Sequence, residues 1–160
     1  MPEITPQQRL LFEEQGHLAV GPLVSPEQVA RLRRAFEEQT AAWAKEIDTP
    51  LDEYLSVVSQ WTNVWELNPV FRAQLHHQRA AAIAAELIGC ERVRVFHDHM
   101  IVKPPHSGGT IPWHRDIANW PVGEARAVSC WLALDDVTAE SGAMRFMPGG
   151  HKEPITRSID

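Results

Sequence analysis

Residues 112–121 read PWHRDIANWP, and His114, Arg115 and Asp116 at its centre admit two kinds of chemistry. In phosphoryl transfer, His-Arg-Asp followed by Asn is a catalytic loop whose carboxylate takes the proton of the attacking hydroxyl. On a β-strand, residues i and i+2 point the same way, so His-x-Asp offers an imidazole and a carboxylate on one face, and a divalent cation can take both. The first reading wants Asn five positions after the Asp. Asn119 lies only three after Asp116, and no Gly-rich phosphate loop, Val-Ala-Ile-Lys or Asp-Phe-Gly is present, so the first reading fails. The second is the donor chemistry of Fe(II) sites with two His and one carboxylate, which leave three positions for dioxygen and a cosubstrate. Alone it is a weak signal: 8 His and the seven Asp of 160 residues give about 0.35 such pairs by chance, and a solvated or ion-paired couple competes. His97-x-His99 is a second pair of this kind, a cupin-like alternative no stronger by the same arithmetic.

The elements that must hold these residues divide the chain near Cys90. Before it the grammar is helical. Thr5-Pro6-Gln7-Gln8 and Ser25-Pro26-Glu27-Gln28 each supply an N-cap, a proline at the first helical position and a capping-box Gln. Gly16 and Gly89 stand where helices close on a left-handed residue. Val29, Leu32, Phe36, Trp43 and Ile47, with Thr40 in the gap, give the second helix one apolar face, which reads as core. Another helix is expected from Asn68-Pro69, and the alanine-rich RAAAIAAELIG stops at Gly89. HLAV at 17–20 reads as a brief strand, and SVVSQWTNVWEL stays open between loop, strand and short helix.

After Cys90 the period becomes two. In RVRVFHDHMIVK, Val93, Val95, His97, His99, Ile101 and Lys103 share one face, and Phe96, Asp98, Met100 and Val102 the other. AVSCWLALDD sets Val128, Cys130, Leu132 and Leu134 against Ser129 and Trp131, and AMRFM reads as a third strand closed by Pro148-Gly149-Gly150. Helices followed by antiparallel-looking strands predict one α+β domain over 1–160, with helices packed on one sheet face.

Composition sets outer bounds. With 44% hydrophobic and 22% charged residues the chain is an ordinary globular one. A net charge of -6, with no basic block longer than Arg33-Arg34, leaves no footprint for nucleic acid. MPEITPQQR lacks the basic and apolar regions of a leader, and no apolar run approaches a membrane span, so a soluble, cytoplasmic protein is expected. Cys90 and Cys130 have no C-x-x-C spacing and read as reduced core thiols.

The stretch from Val93 to Lys152, carrying VKPP, PWHRD, CWLALDD and ESGAMRFMPGGHK in that order, resembles the phytanoyl-CoA dioxygenase family, and FEEQGHLAVGPLVSPEQVARLRRAFEE resembles the family's amino-terminal helical segment. The resemblance covers nearly the whole chain, and the ordered combination is far more specific than any one piece. It implies a double-stranded β-helix, jelly-roll or cupin-like, under the amino-terminal helices, and a dioxygenase that uses Fe(II), 2-oxoglutarate and O2 to hydroxylate a small organic or acyl substrate. By position in the motif, His114 and Asp116 match metal ligands. Trp131 and His99 match positions that contact the cosubstrate, and Lys103 belongs to the K-P-P element beside them. His97, His99 and Lys103 would then face inward together, although a core histidine and a snorkelling lysine are the ordinary alternatives for His97 and Lys103. Asp116 also argues against a halogenase variant, in which a small residue frees a position for halide. Arg126 could meet a carboxylate or lie on the surface, and the loop His106, Ser107, Gly108 and Gly109 could cover the site or merely connect strands.

His151 is tempting as a third ligand, but the resemblance places it in the turn after the strand, where it caps or orients. The remaining His, and an Arg for the far carboxylate of 2-oxoglutarate, are expected beyond Asp160, with the carboxy-terminal strands of the β-helix missing. Two alternatives follow: a catalytically silent domain with weak metal binding, or an interaction domain. Open strand edges would make either prone to homo-oligomerise.

Overall fold

The computed structural model of the chain describes residues 3–57, 59–104, 110–120 and 126–154. Helix α1 (Pro6–Gln15) and helix α2 (Pro26–Glu46) begin on the capping boxes of Thr5 and Ser25, each with proline in the first turn. Helix α1 closes on Gly16 at φ 78°. Short helices α3 (Leu51–Tyr54) and α4 (Val64–Leu67) flank strand β1 (Ser59–Thr62). Helix α5 (Pro69–Leu75) starts on Asn68, whose side chain accepts from Val70 N–H, and helix α6 (Gln78–Ile88) ends on Gly89 at φ 72°. Strand β2 (His99–Val102), helix α7 (Asp116–Asn119) and a 3-10 turn at Gly150–Lys152 complete the described elements.

Strands β1 and β2 form an antiparallel ribbon in which Thr62 lies opposite His99, Trp61 opposite Met100 and Ser59 opposite Val102. The ambiguous 56–67 segment thus supplies a strand between two helical turns. The helical layer covers one face of the ribbon. Leu32, Ala35, Val64 and Phe71 are buried together, and Phe36, Trp43, Trp61, Met100, Leu132 and Leu134 pack against them. Trp61 stacks on Trp43 at 5.2 Å and donates its indole N–H to Tyr54 Oη at 2.8 Å. Thr40, buried in the apolar face of α2, satisfies its hydroxyl on Phe36 O at 2.9 Å. Ile47, expected on that face, falls at the C-cap and is 60% exposed.

Several strand expectations are corrected. HLAV carries no strand, β2 occupies only four residues of RVRVFHDHMIVK, and 127–136 and 143–147 have no ladder partner among the described residues. No jelly roll is seen among the described residues; helices with a two-stranded antiparallel sheet are. Alternating side chains favour an extended backbone, but a ladder needs a neighbouring strand, which sequence alone does not supply. Part of the expected inward set survives even so: Leu132 and Leu134 turn to the core and Trp131 is 46% exposed, while Cys130, expected beside the leucines, is exposed. Neither cysteine is a core thiol: both are free, Cys90 half-buried and Cys130 exposed. No described helix is long and apolar enough to cross a membrane.

Candidate metal centre

His114 and Asp116 do not sit on a strand. Arg115 is extended at φ -122° and ψ 122°, and Asp116 opens α7, so the pair spans a loop-to-helix junction. Pro112 lacks the N–H a central strand would need, and a carboxylate suits the first turn of a helix, where N–H groups are unpaired. Strand parity therefore does not bring the two side chains together; particular bonds do. The carbonyl of Pro112 can only accept, so His114 Nδ1, 2.7 Å away, carries the proton. That leaves the Nε2 lone pair 3.3 Å from Asp116 Oδ1. The other carboxylate oxygen, Oδ2, accepts from Ser129 Oγ at 2.8 Å. An imidazole lone pair and a carboxylate oxygen face each other, an arrangement that a proton or a cation between them stabilises. Both side chains are about half exposed, at 47% and 48%, so the gap is open to solutes.

The donor set fits a divalent metal of the iron type: one neutral imidazole nitrogen and one hard carboxylate oxygen, with the imidazole's second nitrogen anchored on a backbone carbonyl as metal-bound histidines usually are. Two ligands at right angles, each about 2.1 Å from an ion, lie about 3 Å apart, close to the separation found here. Among the described residues, no group of three or more His, Cys, Asp and Glu is gathered to hold a metal.

The other expected residues lie on the ribbon and the extended segment after Arg126. His99 shares the less buried face of β2 with Ile101, while Met100 and Val102 face the helices. The expectation of an inward face for His97, His99 and Lys103 is thus corrected: His99 and Lys103 are exposed and His97 half-buried, because the helices cover the opposite side. Burial, followed by the neighbouring His97, lowers the pKa of His99, partly opposed by Asp116 and Asp98. His97 packs edge-on against Trp120 at 5.6 Å and Phe96 at 4.8 Å. Lys103 lies along Gly142 (φ 91°), where a Cβ would come 3.1 Å from its Cδ. Among the described residues no hydrogen bond joins Trp131 or Lys103 to the His114–Asp116 pair. Arg126 donates to Ile88 O at 2.8 Å, serving the end of α6 in place of a ligand carboxylate. His106 to Gly109 lie outside the described residues. A surface hollow of about 480 Å³, lined by Thr49, Tyr54, Gln60, Trp61 and neighbours, contains none of the expected site residues.

Three contributors escaped sequence reading. Ser129 holds Asp116, and its only signal was lying on the side of its segment opposite Leu132. Arg115 turns to the Gly150–Lys152 turn. Asp98 accepts from Trp65 N–H at 3.1 Å and, through its carbonyl, from Asn63 N–H at 3.0 Å. It thereby caps α4, whose own N-cap residue Asn63 (φ 58°) makes no side-chain cap. Burial raises the Asp98 pKa, against the lowering effect of backbone N–H groups at Trp65, Asp98 and Val64 and of His97, and its Oδ1 is buried without a partner among the described residues.

Helices over one face of an antiparallel ribbon, with an imidazole and a carboxylate turned together beyond it, define an α+β domain with a candidate two-ligand metal site. The phytanoyl-CoA dioxygenase family model matches residues 12–158, and the chain belongs to that family of 2-oxoglutarate-dependent dioxygenases, which typically use Fe(II). Among curated relatives, phytanoyl-CoA dioxygenase domain-containing protein 1 of Bos taurus is 34% identical over 96 residues, covering 58% of this chain and 32% of that protein. Ectoine dioxygenase of Stutzerimonas stutzeri is 28% identical over 150 residues, 90% of this chain and 49% of that protein. Peroxisomal phytanoyl-CoA dioxygenase of Bos taurus is 26% identical over 164 residues, 93% of this chain and 48% of that protein. The chain thus spans about a third to a half of the length of these relatives. No solved structure matches it significantly.

Proposed function

We propose that the chain supplies two metal ligands, His114 and Asp116, to an Fe(II)/2-oxoglutarate-dependent dioxygenase that hydroxylates a small organic or acyl substrate with O2, on the double-stranded β-helix that family membership implies. The observation carrying the proposal is the 2.7 Å contact of His114 Nδ1 with Pro112 O, which commits that nitrogen as the N–H and leaves the Nε2 lone pair 3.3 Å from Asp116 Oδ1, where a cation could bind both. When bound, the metal and cosubstrate would supply oxidising power that no side chain has. The chain's part is to hold the donors and arrange their surroundings. Ser129 fixes Asp116 so that Oδ1 turns to the gap, and Trp131, His99 and Lys103 are the side chains proposed to contact 2-oxoglutarate.

A second reading is favoured by the absence of a third ligand among the described residues: a domain that holds metal weakly and turns nothing over. Titration with Fe(II) or Co(II), alongside succinate formation from 2-oxoglutarate, separates the two. Metal binding that disappears in His114→Ala and Asp116→Ala supports the ligand assignment, and equal affinity in wild type and His114→Ala overturns it. Turnover of 2-oxoglutarate by this chain eliminates the silent reading.

A further inference from the structure

Arg115, between the two candidate ligands, sends its guanidinium to three backbone carbonyls of one turn. Nη1 donates to Glu153 O at 2.5 Å and Pro154 O at 3.2 Å, and Nη2 to His151 O at 3.1 Å. That turn is in turn fastened to the end of α1. Gly149 N–H donates to Gln15 O at 3.0 Å, and His151 Nε2 to Glu13 O at 3.1 Å. Beside these bonds the His17 ring stacks on Phe146 at 4.7 Å, with the planes 6° apart. Gly16, at φ 78°, closes the junction: a Cβ there would overlap His151 Nδ1. The contacts run without a gap from the C-terminal end of α1, through the Gly150–Lys152 turn, to the residue that links His114 to Asp116.

We propose that Arg115 is a positioning residue for the His114–Asp116 pair, and that His151 and Gly16 make the end of α1 the anchor from which it works. His114 sits in a loop and Asp116 at the start of a four-residue helix, neither of which holds a backbone rigidly by itself. Three charge-assisted bonds from one planar group restrain the peptide between them, which sets the distance across the gap. The proposal rests on the metal reading above for its consequence, though the latch itself is defined by the contacts alone.

Two measurements on the 160-residue chain test it: Co(II) affinity by visible absorption, and amide hydrogen exchange without metal at residues 113–116 and at Glu13–Gly16. Arg115→Ala is expected to raise the Co(II) Kd roughly tenfold, as loss of a residue supporting a metal ligand does, and to speed exchange at both segments. Arg115→Lys recovers only part of this, because an ammonium cannot fork across several carbonyls. Gly16→Ala, on another element, reproduces both effects and serves if Arg115→Ala does not fold. Ile83→Val, a core change in α6, lowers Tm and moves neither readout. Unchanged exchange at 113–116 in Arg115→Ala or Gly16→Ala overturns the latch. Absence of Co(II) binding by wild type overturns the metal reading instead, and the exchange data still decide the latch.

Discussion

Whether His114 can serve as a ligand turns on one proton. Its Nδ1 faces a carbonyl and must donate, so the remaining nitrogen is free to meet a cation or to pair with Asp116 as an imidazolium. Asp116 is prepared in the same way: Ser129 occupies one oxygen and leaves the other toward the gap. Ser129→Ala should leave the fold intact, since the side chain is exposed, yet raise the Co(II) Kd about tenfold by freeing the carboxylate to rotate. Co(II) titration with a Tm measured in parallel checks this, and equal affinity in the variant would show that Ser129 does not orient the ligand. Histidine and aspartate at 114 and 116 could be seen in the sequence as a donor set. Which nitrogen bears the proton, and which hydroxyl steadies the carboxylate, depended on neighbours brought in by folding.

At the scale of elements, Asp98 couples the ribbon to the helices by capping α4 from the position just before β2, 33 residues from Trp65. Removing the cap in Asp98→Ala strands helix N–H groups and should cost about 1–2 kcal/mol. Asp98→Asn keeps an acceptor and removes the charge that burial penalises. Because burial raises the folded carboxyl pKa, its stabilising contribution is complete below the unfolded value of 3.8 and is lost as pH rises through the folded value. The Tm of Asp98→Asn should therefore gain on wild type as pH increases from 3.8 toward neutrality, in melts followed by circular dichroism. A difference that stays constant with pH would mean that ionisation of Asp98 carries no such penalty. Element boundaries divide along the same line. Thr5, Ser25, Gly16 and Gly89 marked their helix ends because capping is settled within a few residues. HLAV and AVSCWLALDD have strand composition, but pairing is a property of two segments.

For the molecule as a whole, the helical layer buries one face of the ribbon and leaves much of the rest exposed. Among the described residues each strand has one neighbour, and Trp113 and Met147 are 66% and 64% exposed. We propose that copies of the chain associate through these edges, as unpaired strands tend to do. Light scattering across a concentration series should then give masses above 18.0 kDa at high concentration. Ile101→Lys, which puts a charge on the open face of β2, should return the chain toward the monomer. A mass independent of concentration in wild type would remove the proposal.

The sequence by itself determined the ends of α1, α2 and α6 and, through ordered motifs rather than any one of them, the family. These follow from interactions within a turn or two of the chain and from residue types that survive in series. Tertiary structure decided the rest: that His99 and Lys103 lie on an exposed face, that Ser129 holds Asp116, and that Arg115 binds the turn fastened to α1. Each joins groups distant in the chain, and their meeting depends on how the helices pack, which no local pattern encodes.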